Sequence, residues 1–242
     1  MVVKKRGPYL SIARILICLF TGIATGIILF LVFGTDRFTL EKIDFHGGTS
    51  LPADSLEVVE SSMLGKNLLT ISLDSVRDRL LRFPEIREVV FKRRLWGHID
   101  CYLMQREPVA IIAGDRLFEV DSEGVVIPLR AGRADIDLPV ITGISKADLG
   151  TEKGKKRLRM AVTVLETLKD YGFSTADELS EIHVQNNEVM LVLMRTGTLV
   201  RLGSENFAKR IQKLYAVYGV LDDEGSFPDM IDLRFNRQVV VR

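Results

Sequence analysis

The residues of this 242-residue chain best suited to chemistry are three histidines, two cysteines and one run of carboxylates. His46, His98 and His183 lie in separate segments, and none has a second His or a Cys at the short spacing a metal site uses. A glycine-rich phosphate loop is absent from the sequence, as is a Gly-x-Ser-x-Gly elbow. Asp222-Asp223-Glu224 run straight into Gly225, which reads as a solvated turn; acid–base catalysis needs carboxyl groups converging on a cleft. The sequence therefore reads as a protein with no catalytic residues, no metal site, no cofactor and no small-molecule substrate. Lys and Arg total 33 against 32 Asp and Glu, so the basic surplus that nucleic-acid binding demands is missing.

Function must then rest on surfaces and on the elements that position them. From Ile15 to Thr35 the chain runs twenty-one residues without a charge. As a helix this run spans roughly 30 Å, the thickness of a bilayer's hydrocarbon core. Lys4, Lys5, Arg6 and Arg14 precede it with no acid among them, which keeps residues 1–14 in the cytoplasm and sends the rest across. A cleaved signal peptide would have a shorter apolar core and a small-residue exit, whereas this run leaves through Leu31-Val32-Phe33. Residues 15–35 are read as a transmembrane helix, on which Gly22 and Gly26 give a weak GxxxG pointer to a helix partner. Cys18 falls in the span and Cys101 outside it, so the two form no disulfide. Cys101 shares one side of an alternating strand with Ile99 and Leu103 and reads as buried.

Beyond the anchor the periodicity divides into two parts. Residues 37–106 read as strand (Leu40 to Phe45), turn (His46-Gly47-Gly48), and a helix opened by Pro52 and closed by Gly65. A second helix follows, capped by Ser72 and ended by Pro84, and then strands from Arg87 to Leu95 and Ile99 to Gln105. This βααββ order predicts two amphipathic helices on one face of a small sheet. Trp96 sits at the hairpin tip as a packing wedge, and Lys92-Arg93-Arg94 lie together on an outer strand, where charge blocks aggregation or meets an anionic partner.

Residues 107–242 read as a mixed β-sheet domain with two packing helices. Its strands cover Pro108–Ile112, Arg116–Val120, Gly124–Pro128, Leu138–Gly143, Ser180–Val184, Glu188–Met194, Thr198–Leu202 and Met230–Phe235, with Val239-Val240-Val241 a candidate continuation. Residues 130–138 read as a loop. Helices are expected from Lys155 to Tyr171 and from a cap at Ser204 to Tyr218. The strand from Met230 has little chain left to cover its outer margin, and an open margin invites a partner strand.

The order of elements after a membrane anchor resembles a POTRA domain, and the residues carry the likeness further. Phe83-Pro84-Glu85-Ile86-Arg87-Glu88-Val89, then Arg93-Arg94-Leu95-Trp96, then Arg106-Glu107-Pro108-Val109-Ala110 are similar to the signature of the FtsQ/DivIB family of bacterial cell-division proteins. Leu202-Gly203, Lys209-Arg210, Tyr218 with Val220-Leu221, and Ile231-Asp232-Leu233-Arg234-Phe235 follow in that family's order. Gly97 stands where the family usually has proline after the tryptophan, and Ile111-Ile112 replace an aromatic residue.

The resemblance implies an α+β architecture of single transmembrane helix, POTRA domain and FtsQ-type β domain. It also implies a non-enzymatic scaffold of the divisome in the bacterial inner membrane at the septum. Its partners would be FtsB-like and FtsL-like bitopic proteins and, through them, the septal peptidoglycan synthase. Carried over by motif, Ile231, Asp232, Leu233, Arg234 and Phe235 would bind the partner. Arg234 would meet an acidic residue, Phe235 would line an apolar pocket, and Arg210 would add a second charge contact. Two other classes compete: a POTRA-type chaperone for membrane or secreted proteins, which usually carries several such units and a barrel, and a signalling protein, which would need a larger cytoplasmic module than fourteen residues.

Overall fold

An uncharged run of this length must satisfy its backbone internally, and it does so as one continuous helix, α1 (Tyr9–Phe33). The stretch Ile12–Leu31 is long and apolar enough to cross a membrane, and none of it is buried by the rest of the chain. Its hydroxyls also bond inward: Thr21 donates to the Ile17 carbonyl and Thr25 to the Thr21 carbonyl. The computed structural model describes residues 9–33, 38–48, 51, 53–94, 97–129, 137–173 and 178–242. The expected roles of Pro52 and Trp96, and most of the expected tail and of the 130–138 loop, fall outside those residues. The chain divides into two compact units, Met1–Gln105 and Arg106–Arg242.

In the first unit β1 (Lys42–Gly47), α2 (Ala53–Met63), α3 (Asp74–Leu80), β2 (Ile86–Arg94) and β3 (His98–Gln105) follow in the expected order. Among the described residues the sheet order is β1-β3-β2, with β1 parallel and β2 antiparallel to β3. Alternation sends Ile99, Cys101 and Leu103 of β3 into a core with Val59 and Met63 of α2 and Leu80 of α3. β1 begins two residues later than expected and runs through His46. The reason lies at Leu40, whose N–H donates to the Lys66 carbonyl and whose carbonyl accepts from Gly65, pulling it to the loop after α2. Ser72 is not the cap of α3: Leu73 holds that place without a side-chain bond. Gly97 has φ +79, which proline cannot adopt, and a Cβ there would strike the Thr39 carbonyl.

The second unit contains β4 (Pro108–Ala113), β5 (Leu117–Asp121), β6 (Val126–Pro128), β7 (Val140–Thr142), α4 (Lys146–Leu149), α5 (Glu152–Asp170), β8 (Leu179–Gln185), β9 (Glu188–Leu193), β10 (Leu199–Gly203), α6 (Phe207–Glu224), β11 (Met230–Asp232) and β12 (Val240–Val241). Among the described residues one mixed sheet runs β12-β11-β10-β9-β8-β7-β4-β5-β6. Leu158, Val162 and Leu165 of α5, with Ile211 and Leu214 of α6, share one core with Ile182, Leu191, Val200, Leu202 and Ile231 of the sheet. Gly143 follows β7 at φ +80, where a Cβ would collide with the Val184 carbonyl, so β7 and β8 approach closely only through a glycine.

Both long helices of this unit differ in extent from expectation for local reasons, and Asn206, not Ser204, holds the N-cap place of α6 without a side-chain bond. α5 starts at Glu152 because Thr151 caps it, its side chain accepting from the Gly154 N–H at 3.0 Å. α6 continues to Glu224, so Asp222-Asp223-Glu224 form its last turn. Acids oppose the helix dipole there, which is why the pattern alone ended the helix early.

Burial pushes the Cys101 thiol up to about 12, so it stays protonated and unreactive at neutral pH. A maleimide should therefore leave Cys101 unmodified in the folded chain and label it promptly in denaturant; fast labelling of native protein would contradict the packing described.

Candidate functional site

The last strands of the second unit gather most of the residues that the sequence singled out. Ile231 and Leu233 are fully buried and point into the core. Asp232, between them, is 6% exposed yet charged, and it turns its carboxylate to Arg234. Oδ1 accepts from the Arg234 backbone N–H at 3.1 Å and from Nε at 3.0 Å, and Oδ2 accepts from Nη2 at 2.8 Å. This fork holds the Asp232 carboxyl below the usual carboxylate range, the Arg234 side-chain hydrogen bonds being the largest cause. It also raises Arg234 above its ordinary value.

On its other side Arg234 faces Glu188, with Nη1 at 3.5 Å, and Arg201 approaches the same carboxylate at 3.8 Å. Both distances exceed a good hydrogen bond, so Glu188 is held by two arginines and closely by neither. Gln185, Asn186 and Met190 complete a shallow cleft around these groups. Arg201 and Glu188 were missed by sequence reading; the usable signal is register, since Arg201 is the cross-strand partner of Asp232.

Arg210 is not placed as a second charge contact for a partner. It is 8% exposed, and Nη1 donates to the Leu202 carbonyl while Nη2 reaches the Arg234 carbonyl at 3.5 Å. Its guanidinium ties α6 to the end of β10 and to the segment leaving β11. Lys213, one turn on, donates from Nζ to the carbonyls of Phe235 at 2.9 Å and Asn236 at 2.7 Å. These two cations turn the chain away from the sheet after Asp232, so the strand expected from Met230 to Phe235 stops at Asp232.

The open margin accordingly lies elsewhere than expected. β11 is flanked by β10 and β12 and is closed on both sides. Among the described residues β12 has β11 as its one neighbour. Met230 and Arg242 exchange N–H···O bonds, both at 3.0 Å, so the intervening Val241 directs its N–H and carbonyl outward. Val241 is 51% and Phe235 46% exposed, and Val240, the neighbour of Val241 on β12, is the cross-strand partner of Asp232.

The remaining candidates separate. Alternation splits the basic run of β2: Arg93 donates to the Ile71 carbonyl on the helical side, while Lys92 lies over the Tyr102 ring at 4.8 Å and Arg94 pairs with Asp100 at 2.5 Å on the opposite face. His46 stacks on Tyr102 with ring centres 4.7 Å apart. His183 Nδ1 meets the Thr142 hydroxyl at 2.7 Å, and that hydroxyl also contacts Glu181. There the hydroxyl, not the imidazole, bridges the other two groups, the reverse of what nucleophile activation needs. Among the described residues no three His, Cys, Asp or Glu side chains converge as a metal site.

Comparisons with known proteins agree on one family. A profile described as "Cell division protein FtsQ/DivIB, C-terminal" matches residues 110–234. The chain is 28% identical over 216 residues to the cell division protein FtsQ of Geotalea daltonii, covering 88% of this chain and 78% of that one. It is 26% identical over 215 residues to the FtsQ of Geobacter sp., with the same coverages. The cell division protein DivIB of Clostridium acetobutylicum is 27% identical over 120 residues, 48% of this chain and 47% of that one.

Two outcomes follow from the margin's construction. Arg210→Ala should lower stability by about 2–4 kcal/mol in chemical denaturation, because it leaves the buried Leu202 carbonyl without the Nη1 donor and empties the space the guanidinium fills. The lowered Asp232 carboxyl stabilises the fold above its unfolded value near 4, and that contribution is lost as pH falls through the folded value. Asp232→Asn should therefore be less stable than the parent at pH 7, with the difference shrinking towards pH 2 in thermal melts.

Proposed function

The chain belongs to the FtsQ/DivIB family of cell-division proteins, and on that premise we propose that it is a non-catalytic, single-pass scaffold of the divisome. In this reading α1 anchors it in the inner membrane with residues 1–14 in the cytoplasm, and both outer domains, 37–106 and 107–242, act beyond the membrane at the septum. It links early and late division proteins by capturing an FtsB-like partner, with an FtsL-like protein and, indirectly, the septal peptidoglycan synthase.

The observation that carries the proposal is the outward backbone of Val241 on β12, one strand from Asp232 and the Arg234 side chain that it holds. A partner strand adding there gains main-chain hydrogen bonds from the edge, an apolar contact from Phe235 and Val241, and a charge contact from Arg234. Asp232 keeps the Arg234 side chain extended over the sheet, acting as a positioning residue. A carboxylate on the partner replaces Glu188 as the group facing Nη1. Ile231, Leu233 and Arg210 serve the site from inside, by holding the backbone that presents it.

Two substitutions separate the components of this surface. Arg234→Glu should weaken capture of a purified FtsB-like ectodomain at least tenfold in a pull-down or titration; the thermal midpoint also falls, because the new carboxylate faces Asp232 and Glu188, so capture is compared well below it. Val241→Pro deletes the outward N–H while sparing the bonds made by Met230 and Arg242, and should weaken capture comparably, whereas Val241→Thr should not. Undiminished capture by both Arg234→Glu and Val241→Pro would place the partner elsewhere.

A further inference from the structure

The chain that joins α1 to the rest of the first unit is short. Thr39 follows Phe33, the last residue of α1, by six residues, so it lies within roughly 20 Å of the end of that helix. Three segments meet at this end of the unit. The Glu41 and Lys42 N–H groups donate to the Gly97 carbonyl at 2.8 and 3.2 Å, which brings in the turn between β2 and β3. The Leu68 N–H donates to the Phe38 carbonyl at 2.6 Å and that of Leu40 to Lys66 at 2.8 Å, which brings in the link from α2 to α3. Arg93 closes the group, its Nη2 donating to the Ile71 carbonyl at 3.0 Å. The opposite end of the sheet, where Gly47 faces Leu103 and Ile86 faces Gln105, is a strand's length of roughly 20–25 Å away. Connectivity therefore fixes which end of the unit stays near α1.

The described residues of the three segments, 38–42, 64–71 and 93–98, carry Lys42, Lys66, Arg93 and Arg94 against one carboxylate, Glu41. Lys42 and Arg94 already pair with Asp44 and Asp100. Lys66 and Arg93 are exposed, and the Arg93 bond to Ile71 goes to a carbonyl, so it leaves the charge uncompensated. Leu64 at 39% and Leu69 at 49% exposure stand on either side of Lys66 in the α2–α3 link. One exposed leucine is ordinary, and two cations by themselves would suit many anionic groups. The short tether is what selects the occupant, because it carries these groups to one surface and holds them there. Apolar side chains beside cations match the headgroup–acyl boundary of a bilayer, where the first enter and the second meet phosphate.

We propose that this end of the first unit rests on the bilayer surface from which α1 emerges, an inference that relies on the reading of α1 as a membrane anchor. Leu64 and Leu69 enter the interfacial layer, and Lys66 and Arg93 meet the phosphates of anionic lipids. The contact sets the direction in which β3 leaves the membrane, so that its Gln105 end, which leads into the second unit, points away from the lipid. This surface is distinct from the β12 margin, and each can fail without the other.

The test places an environment-sensitive fluorophore on single cysteines of the full chain, one chain per nanodisc of mixed phosphatidylcholine and phosphatidylglycerol. The lipids include a phosphatidylcholine with a nitroxide close to its headgroup, which quenches whatever approaches it. Three positions are compared: native Cys18 in α1, Leu69→Cys at the near end and Met104→Cys towards the far end, the last two with Cys18→Ser; Cys101 is buried and takes no label. Quenching at position 69 should exceed that at position 104 by about threefold. Lys66→Glu, which leaves the Arg93–Ile71 bond intact, should cut it about twofold, as should discs of phosphatidylcholine alone. Equal quenching at 69 and 104, with Cys18 quenched, overturns the proposal and leaves the anchor standing. An unquenched Cys18 overturns the anchor reading itself. Quenching at 69 that ignores both Lys66→Glu and the loss of anionic lipid overturns the phosphate contact.

Discussion

Arg210 is the constraint on which the presenting margin depends. A nearly buried guanidinium is costly unless its donors are matched, and here they reach the carbonyls of Leu202 and Arg234 from the first turn of α6. That arrangement fixes three things at once: the seat of α6 on β10, the point where β11 leaves the sheet, and the backbone from which Arg234 projects. Remove the cation, and carbonyls that face inward have no donor. The backbone from which Arg234 projects is therefore held by a residue that is itself nearly buried.

Much of this architecture is legible in the sequence because it rests on periodicity. The uncharged run names α1, the 3.6-residue stripe Leu158-Val162-Leu165 names α5, and the alternation Val189-Leu191-Leu193 names β9 and its buried face. What periodicity cannot supply is any feature decided by one long-range bond. β11 reads as continuous through Phe235 because Leu233 and Phe235 keep the alternation. It ends at Asp232 because Asp232 accepts the Arg234 N–H and Lys213 holds the carbonyls beyond. A strand of two residues, β12, gives almost no pattern at all.

The site was legible in part for the same reason. Motif position singled out Arg234 and Phe235, of which the structure shows Arg234 forked to Asp232 and Phe235 46% exposed. Arg210 carries the charge that a contact residue would have, and its burial shows in no local pattern. Arg201 and Glu188 sit on outward positions of β10 and β9, where a charged residue reads as ordinary solvated surface. Register sets Arg201 opposite Asp232, and only side-chain contacts across the strands join Arg201 and Glu188 to Arg234.

The brevity of β12 has a dynamic consequence. Two residues of edge offer too few backbone bonds to hold an arbitrary strand by themselves. An arriving segment must lengthen the ladder as it settles, ordering residues on both sides while it does so. A complex formed in the proposed way would give up part of its interaction energy to that ordering. Under the proposed function, that cost would keep capture reversible, as an assembly taken apart after each division requires.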